Sequence, residues 1–286
     1  MATNLSASSK NSGLSVVRNK RKAPAYNDID LDNWREYDYI ETGTLWNIPS
    51  RAKGAGHKLD YYGGYVPQIA TQVFNRFTKE KDIVLDLFLG SGTTVVEAMN
   101  MNRRCVGVEL KKDLVNYVQG KVYDGCRNDI HLVCADSSNE KLPAKLNSVF
   151  RSMGEEKAQL LILHPPYADI IKFSDNEKDL SNCETTEDFL NKFSQVAKNG
   201  YDSLEKNRYA VLIIGDKYSK GELIPLGFLC MNKMNEIGFK TKSIIVKNIE
   251  GNEQGKGRTS NLWRYRALAG GFYIFKHEYV MIFQKK

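Results

Sequence analysis

The sequence is poor in anything that would cross-link the chain or anchor it. Its five cysteines, Cys105, Cys126, Cys134, Cys183 and Cys230, are odd in number, form no CxxC pair and join no Cys/His cluster of zinc spacing. Neither a disulfide scaffold nor a zinc site is predicted, and no metal is assigned. No uninterrupted apolar run approaches the ~20 residues that a membrane-spanning helix needs, so no membrane partner is expected. The opening Met-Ala-Thr-Asn-Leu-Ser lacks the apolar core of a secretory signal, which points to a reducing cytoplasm. What is present is a chain of 286 residues, 42% apolar and 26% charged, enough for one large core or two modest ones. Lysine and arginine outnumber acids 41 to 34, a net charge of +7. That balance favours a polyanionic partner without proving one.

Residues 1–28 are rich in Ser, Asn and Lys, carry the basic cluster Arg18-Asn-Lys-Arg-Lys22 and show no apolar period. They read as a mobile basic tail, either a solvated one or one that follows a phosphate backbone. Residues 29–286 read as a single α/β domain. Short apolar runs at 83–87, 105–109, 131–134, 160–163, 210–214, 242–246 and 278–283 alternate with helical stretches at 66–78, 92–101, 111–123, 185–206 and 224–237. This is the mark of a seven-stranded, mostly parallel sheet with helices on both faces, a Rossmann-like arrangement. Segments 137–157, 168–184 and 248–271 carry Gly, Asn, Ser and charge and are expected to be loops at the working edge.

Residues 83–94, Ile-Val-Leu-Asp-Leu-Phe-Leu-Gly-Ser-Gly-Thr-Thr, run from a buried strand through Gly90-Ser91-Gly92 into a helix. Glycines there allow a tight turn and a close approach of backbone to ligand, though a strand-to-helix turn alone also needs glycine. A dinucleotide site would want a third glycine where Val95 stands. Asp86, just before the turn, repels a pyrophosphate and suits an amino-acid ammonium. Glu109 ends the next strand, 23 residues after Asp86, and can accept from both hydroxyls of a ribose. Asp136 follows the third strand, where a carboxylate can meet an adenine edge, although Asp-Ser-Ser is also an ordinary turn. Together these residues fit S-adenosylmethionine better than NAD.

The fourth strand runs into His164-Pro165-Pro166-Tyr167. With the upstream Asp-Leu-Phe-Leu-Gly-Ser-Gly-Thr-Thr, this resembles the exocyclic amino methyltransferases of DNA, which methylate adenine N6 or cytosine N4. The resemblance covers about residues 42–286 and extends to Thr44-Leu-Trp-Asn-Ile-Pro-Ser50, Tyr62-Gly-Gly-Tyr-Val-Pro67, Ile213-Ile-Gly-Asp216 and the closing Lys276-His-Glu-Tyr-Val-Met-Ile-Phe. It implies the class I methyltransferase fold, with the cofactor motif ahead of the catalytic one. It also implies a cofactor site at Asp86, Phe88, Gly90, Ser91, Gly92, Thr93, Thr94, Glu109 and Asp136. The base would be oriented by His164, Pro165, Pro166 and Tyr167.

These residue types suit the reaction. An exocyclic amino group is a poor nucleophile because its lone pair is delocalised into the ring. Acceptors aimed at its two hydrogens, the His164 side chain and the Pro165 carbonyl, localise that pair toward a methyl sulfonium. Two prolines fix the loop in advance, and Tyr167 offers a face for a base taken out of the duplex. Displacement is direct, and the Pro-Cys motif of carbon-5 cytosine enzymes is absent. His164 departs from the Asp, Asn or Ser usual in the family, and it accepts only through an unprotonated ring nitrogen. An unperturbed histidine then predicts activity lost on acidification through roughly pH 6–7.

Direct base readout needs several side chains in a groove. Residues 248–271 offer Lys256, Arg258, Asn261, Arg264 and Arg266 as DNA-binding candidates, with Gly251, Gly255 and Gly257 giving a pliable loop; the same segment could be a solvated hairpin. Double-stranded DNA is the expected partner, with a cognate restriction endonuclease and a homodimer as further candidates. Adenine N6 is favoured over cytosine N4. Methylation of RNA bases and an inactive nucleic-acid-binding subunit stay open as alternatives.

Overall fold

A computed structural model of the chain describes residues 26–53, 63–167, 173–249 and 260–286. Its centre is a sheet whose inner strands are predominantly apolar because both faces are covered, with Asp86 and Gln159 among the buried polar exceptions. Strand β2 (Ile83–Asp86) is buried at every residue. It lies between β3 (Arg104–Glu109) and β5 (Ala158–Leu163), parallel to both. β4 (Ile130–Cys134) extends one wing beyond β3. On the other wing β6 (Leu204–Ile214) runs parallel to β5. β10 (His277–Lys285) follows antiparallel, flanked by β6 and by β9 (Phe239–Asn248). β1 (Leu45–Trp46) closes this edge, parallel to β9.

All seven predicted strands are present, but the main sheet has eight, so the expected count is corrected. The extra strand, β1, is two residues long and is specified by its partner β9 rather than by any local period. A separate hairpin pairs β7 (Lys217–Ser219) with β8 (Glu222–Ile224). Its turn residues Lys220 and Gly221 both have positive φ, 52° and 85°, the two-residue geometry that matches the twist of paired strands.

Alternate strand residues feed two cores. On one face Ile83, Leu85, Leu161, Leu163 and Leu212 pack against α4 (Leu142–Ser152), α5 (Thr186–Ser203) and α6 (Leu226–Ile237). On the other, Val84, Cys105, Leu160, Ile162 and Val211 pack against α1 (Pro67–Phe77), α2 (Thr93–Asn100) and α3 (Lys112–Gln119). α1 opens on Pro67, whose φ is preset for a first turn, and buries Ile69, Ala70, Val73, Phe74 and Phe77 along one stripe. α5 starts at Thr185, whose hydroxyl oxygen accepts from Asp188 N at 3.0 Å, a capping arrangement that offsets one orphan amide.

Two expected loops are corrected. The 137–157 connection contains α4, which buries Leu142, Leu146 and Phe150 at four-residue spacing. Segment 248–271 contains α7 (Ser260–Gly270). The tail boundary also moves. Tyr26 packs edge-on to Tyr209 with ring centroids 5.0 Å apart, and Asn27 is buried and donates to the Arg76 carbonyl at 2.8 Å. Residues 26–28 therefore belong to the folded body, while Arg18–Lys22 lie outside the described residues. Among the described residues no helix is long and apolar enough to cross a membrane, and the cysteines are all free, Cys134 exposed despite its strand position.

Candidate active site

Sequence order runs outward from β2 through β3 to β4, then returns to β5 on the other side. The carboxyl ends of β2 and β5 therefore flank the switch point where open α/β sheets bind ligands. A cavity of about 490 Å³ opens there.

The turn after β2 is shaped by its glycines. Gly90 and Gly92 have φ of 52° and 84°, which a side chain strains against. A Cβ on Gly92 would stand 2.7 Å from Val118 Cγ1, and Val118 is itself fully buried. A Gly92→Ala substitution is expected to cost about 2–4 kcal/mol, left-handed strain plus overpacking against a stiff β-branched neighbour. Urea denaturation would measure it, and a loss below 1 kcal/mol would contradict this packing.

Glu109 ends β3 and lines the cavity. Its two oxygens accept from Gly90 N and Lys111 N, each at 2.9 Å, which pins the glycine turn to the neighbouring strand. Burial raises its carboxyl above the usual range, and the two amides oppose that shift. Asp136 also lines the cavity; its Oδ1 accepts from Ser138 N at 2.8 Å and from Ser138 Oγ at 2.7 Å, the local turn that Asp-Ser-Ser can form. Phe88, Gly90, Ser91 and Thr93 are on the wall, whereas Asp86, Gly92 and Thr94 stand behind it.

Asp86 is 1% exposed. Its carboxylate accepts from Phe88 N at 2.9 Å and from the Thr94 hydroxyl. Because the Thr94 hydrogen is used there, the 2.7 Å contact between Tyr65 and Thr94 has Tyr65 as donor. Desolvation lifts Asp86 to about 6. A buried, underpaired carboxylate behind the wall makes that end of the cavity attractive to a cation.

The run His164 to Tyr167 forms the opposite wall. Tyr65 and Tyr167 each meet the His164 ring edge-on, with centroids 5.5 and 5.8 Å away. Burial is the main cause lowering His164 to about 4, helped by Arg51 and Lys247 and opposed by Glu278. The imidazole is therefore neutral at physiological pH, and the acid window predicted from an unperturbed histidine is corrected downward. Tyr167 donates to Glu278 Oε2 at 2.8 Å.

Several wall residues lie outside the predicted set of site residues. Arg51 donates to the Gly64 and Tyr65 carbonyls at 2.9 and 2.8 Å, so it braces the cavity rather than extending into solvent. Lys111 Nζ reaches over to the Phe173 carbonyl at 3.1 Å. Lys247 and Glu278 are buried charges at neighbouring strand ends; charged residues at the margins of two apolar strands were the only signal for them. Of the DNA candidates, Arg264 and Arg266 are exposed on α7, with the Arg266 guanidinium 5.1 Å from the Trp263 ring centroid. Lys256, Arg258 and the Asn261 side chain lie outside the described residues.

Residues 9–120 match the N6/N4 methylase family, described as DNA methylase. The probable type III restriction-modification enzyme HindVI Mod subunit of Haemophilus influenzae is 35% identical over 86 residues, 29% of this chain and 12% of that protein. Type II methyltransferase M.MjaII of Methanocaldococcus jannaschii is 36% identical over 118 residues, 33% of this chain and 21% of that one. The chain thus spans about a fifth or less of these curated relatives. Among solved structures, TrmN from Thermus thermophilus aligns with a TM-score of 0.49 at 13% identity, over 79% of this chain and 50% of that one. Residues 9–120, which supply the glycine turn and Glu109, are thus the part of the chain that is similar to the DNA methylase family.

Proposed function

We propose that the chain transfers a methyl group from S-adenosylmethionine to the exocyclic amino group of a base flipped from duplex DNA, with adenine N6 favoured and cytosine N4 the alternative. The observation that carries this reading is that one cavity is walled on one side by Gly90, Glu109 and Asp136 and on the other by His164, Pro165 and Tyr167. The donor side fits the cofactor chemically. It offers a carboxylate at a strand end for ribose hydroxyls, apolar surface from Phe88 and Val108, and the buried negative charge of Asp86 toward an ammonium. When bound, S-adenosylmethionine supplies an electrophilic methyl on a positively charged sulfur.

The remaining work falls to the protein. Neutral His164 offers a ring nitrogen as acceptor for one amino hydrogen, and the Pro165 carbonyl takes the other. Together they turn the nitrogen lone pair toward the methyl. Tyr167, held at its hydroxyl by Glu278, keeps a fixed ring against which a base can stack.

Exposed Arg264 and Arg266 on α7 are assigned to the DNA backbone or a groove edge, and Lys256 and Arg258 extend the same basic segment. Replacing both arginines by glutamine is expected to weaken DNA binding and to lower the slope of log affinity against log salt by up to about 2. Binding of S-adenosylmethionine should be untouched. An unchanged slope, measured by fluorescence anisotropy across a salt series, would remove α7 from the interface. A cognate endonuclease and a second copy of the chain are the partners this activity would call for.

The deciding experiment supplies tritiated S-adenosylmethionine with unmodified DNA, digests the product to nucleosides and separates them. N6-methyladenine or N4-methylcytosine supports the reading and chooses the base. Label found only in a parallel RNA reaction would move the substrate to RNA, and no label in either would overturn the proposal.

A further inference from the structure

The base-side wall holds a charge pair of which the reaction proposed above uses only Glu278, as an anchor for the Tyr167 hydroxyl. Lys247 and Glu278 are register partners across the antiparallel β9–β10 ladder. Both are buried, both line the cavity, and Lys247 Nζ lies 2.9 Å from Glu278 Oε1. As a source of stability such a pair is poor, because removing two charges from water costs about what their attraction returns. Two apolar side chains would serve the sheet as well.

What the pair touches suggests another role. Glu278 Oε2 accepts the Tyr167 hydroxyl at 2.8 Å. The Tyr167 ring lies against Gly215, where a Cβ would come within 3.2 Å of Cε2, so the ring is held at its edge as well as at its oxygen. Tyr167 has one hydroxyl hydrogen, and the carboxylate has it. His164 Nε2 stands 3.5 Å from the same oxygen, so this weak contact is a hydrogen bond only with Nε2 as donor. The ring lone pair then resides on Nδ1.

We propose that Glu278, clamped by Lys247, is a positioning residue: by taking the Tyr167 hydrogen it fixes His164 in the Nε2–H tautomer and leaves Nδ1 as the acceptor for the amino group. The kinetic consequence rests on the methyl-transfer reading; the tautomer is a property of the resting protein and can be tested apart from it.

Replacing the pair together, Glu278→Met with Lys247→Met, removes both charges at similar volume, an exchange that buried ion pairs commonly tolerate. The Tyr167 hydroxyl, without its carboxylate, then donates to His164 Nε2 and the tautomer reverses. Nitrogen-15 NMR of the imidazole is expected to show Nε2–H in the native protein and Nδ1–H in the double variant. Turnover should fall on the order of 100-fold, as for a misplaced reacting group, with the KM for S-adenosylmethionine unchanged. Tyr167→Phe keeps the ion pair and should release the fixed tautomer without reversing it, which guards against a double variant that fails to fold. A folded double variant with native turnover, or with His164 still protonated on Nε2, would overturn the proposal. A native protein that methylates neither DNA nor RNA would sink the reaction instead, and the imidazole spectrum would still decide the tautomer.

Discussion

A His164→Ala chain is expected to bind S-adenosylmethionine as tightly as the native one and to methylate DNA at least about 100-fold more slowly, the lower range for losing a positioned group that manages amino hydrogens. The separation follows from where the side chain sits. His164 is on the wall opposite Glu109 and Gly90, and its ring contacts are to Tyr65 and Tyr167, so the donor side keeps its own hydrogen bonds. His164→Asn, which restores an acceptor oxygen, should recover part of the loss where alanine recovers none. Isothermal titration with the cofactor and single-turnover kinetics read the two quantities separately. Full turnover in the alanine variant would strip His164 of its role. The acid dependence is equally specific: with the imidazole held near 4, protonation of His164 should not reduce activity between pH 6 and 7.

Asp86→Asn is expected to yield a protein that is more stable at pH 7.5 and a poorer binder of the cofactor. Burial lifts this carboxyl from 3.8 to about 6, which at about 1.4 kcal/mol per pH unit means the folded state carries a cost of roughly 3 kcal/mol while the group is ionised. The stability that Asp86 contributes is complete below its unfolded value and is lost as pH rises through about 6. His164 has the opposite sign. Its folded value is depressed from 6.5 to about 4, so its contribution is present above 6.5 and lost as pH falls through 4.

In the native protein these two slopes offset one another between pH 6 and 4. Asp86→Asn removes one of them. It should gain about 1–3 kcal/mol at pH 7.5, reduced by imperfect pairing of the new amide, and then lose stability on acidification relative to the native chain. His164→Ala should show the reverse trend, gaining as pH falls from 6 toward 4. Urea midpoints at three pH values distinguish the crossing curves from parallel ones, and parallel curves would contradict both buried shifts. Loss of the carboxylate charge should weaken cofactor binding tenfold or more, equivalent to about 1.4 kcal/mol. Such a gain in stability at the expense of binding is the usual sign of a strained functional group.

The parts legible from sequence were those whose signal is local. Runs such as Leu160 to Leu163 and Val211 to Ile213 are short for a buried helix and fit strands covered on both sides, and all of the predicted strands fall where such runs occur. The glycine turn, Glu109 and the His164 to Tyr167 loop were readable because each lies at the end of such a strand. α4 was missed for a different reason: Leu142, Leu146 and Phe150 mark a narrow stripe within a segment otherwise rich in Lys, Asn and Ser, whose composition suggested a loop. Among the described side chains of α7, 263–270, there is no buried stripe to read; Arg264, Tyr265 and Arg266 are all exposed. β1 and the pairing of Lys247 with Glu278 depend on residues hundreds or tens of positions away, as Leu45↔Val246 shows, and no local window contains that information. The histidine shift was equally invisible, since it arises from tertiary burial rather than from neighbours in sequence.

Strand β10 is last in the chain yet lies inside the sheet, between β6 and β9. β9 and β1 therefore have no seat on the rest of the sheet until β10 has paired with β6. The donor side, built from β2 and β3, can fold early, whereas the wall that receives Lys247 from β9 and Glu278 from β10 is assembled last. Pairing of β10 is thus the step that joins the two halves of the cavity wall.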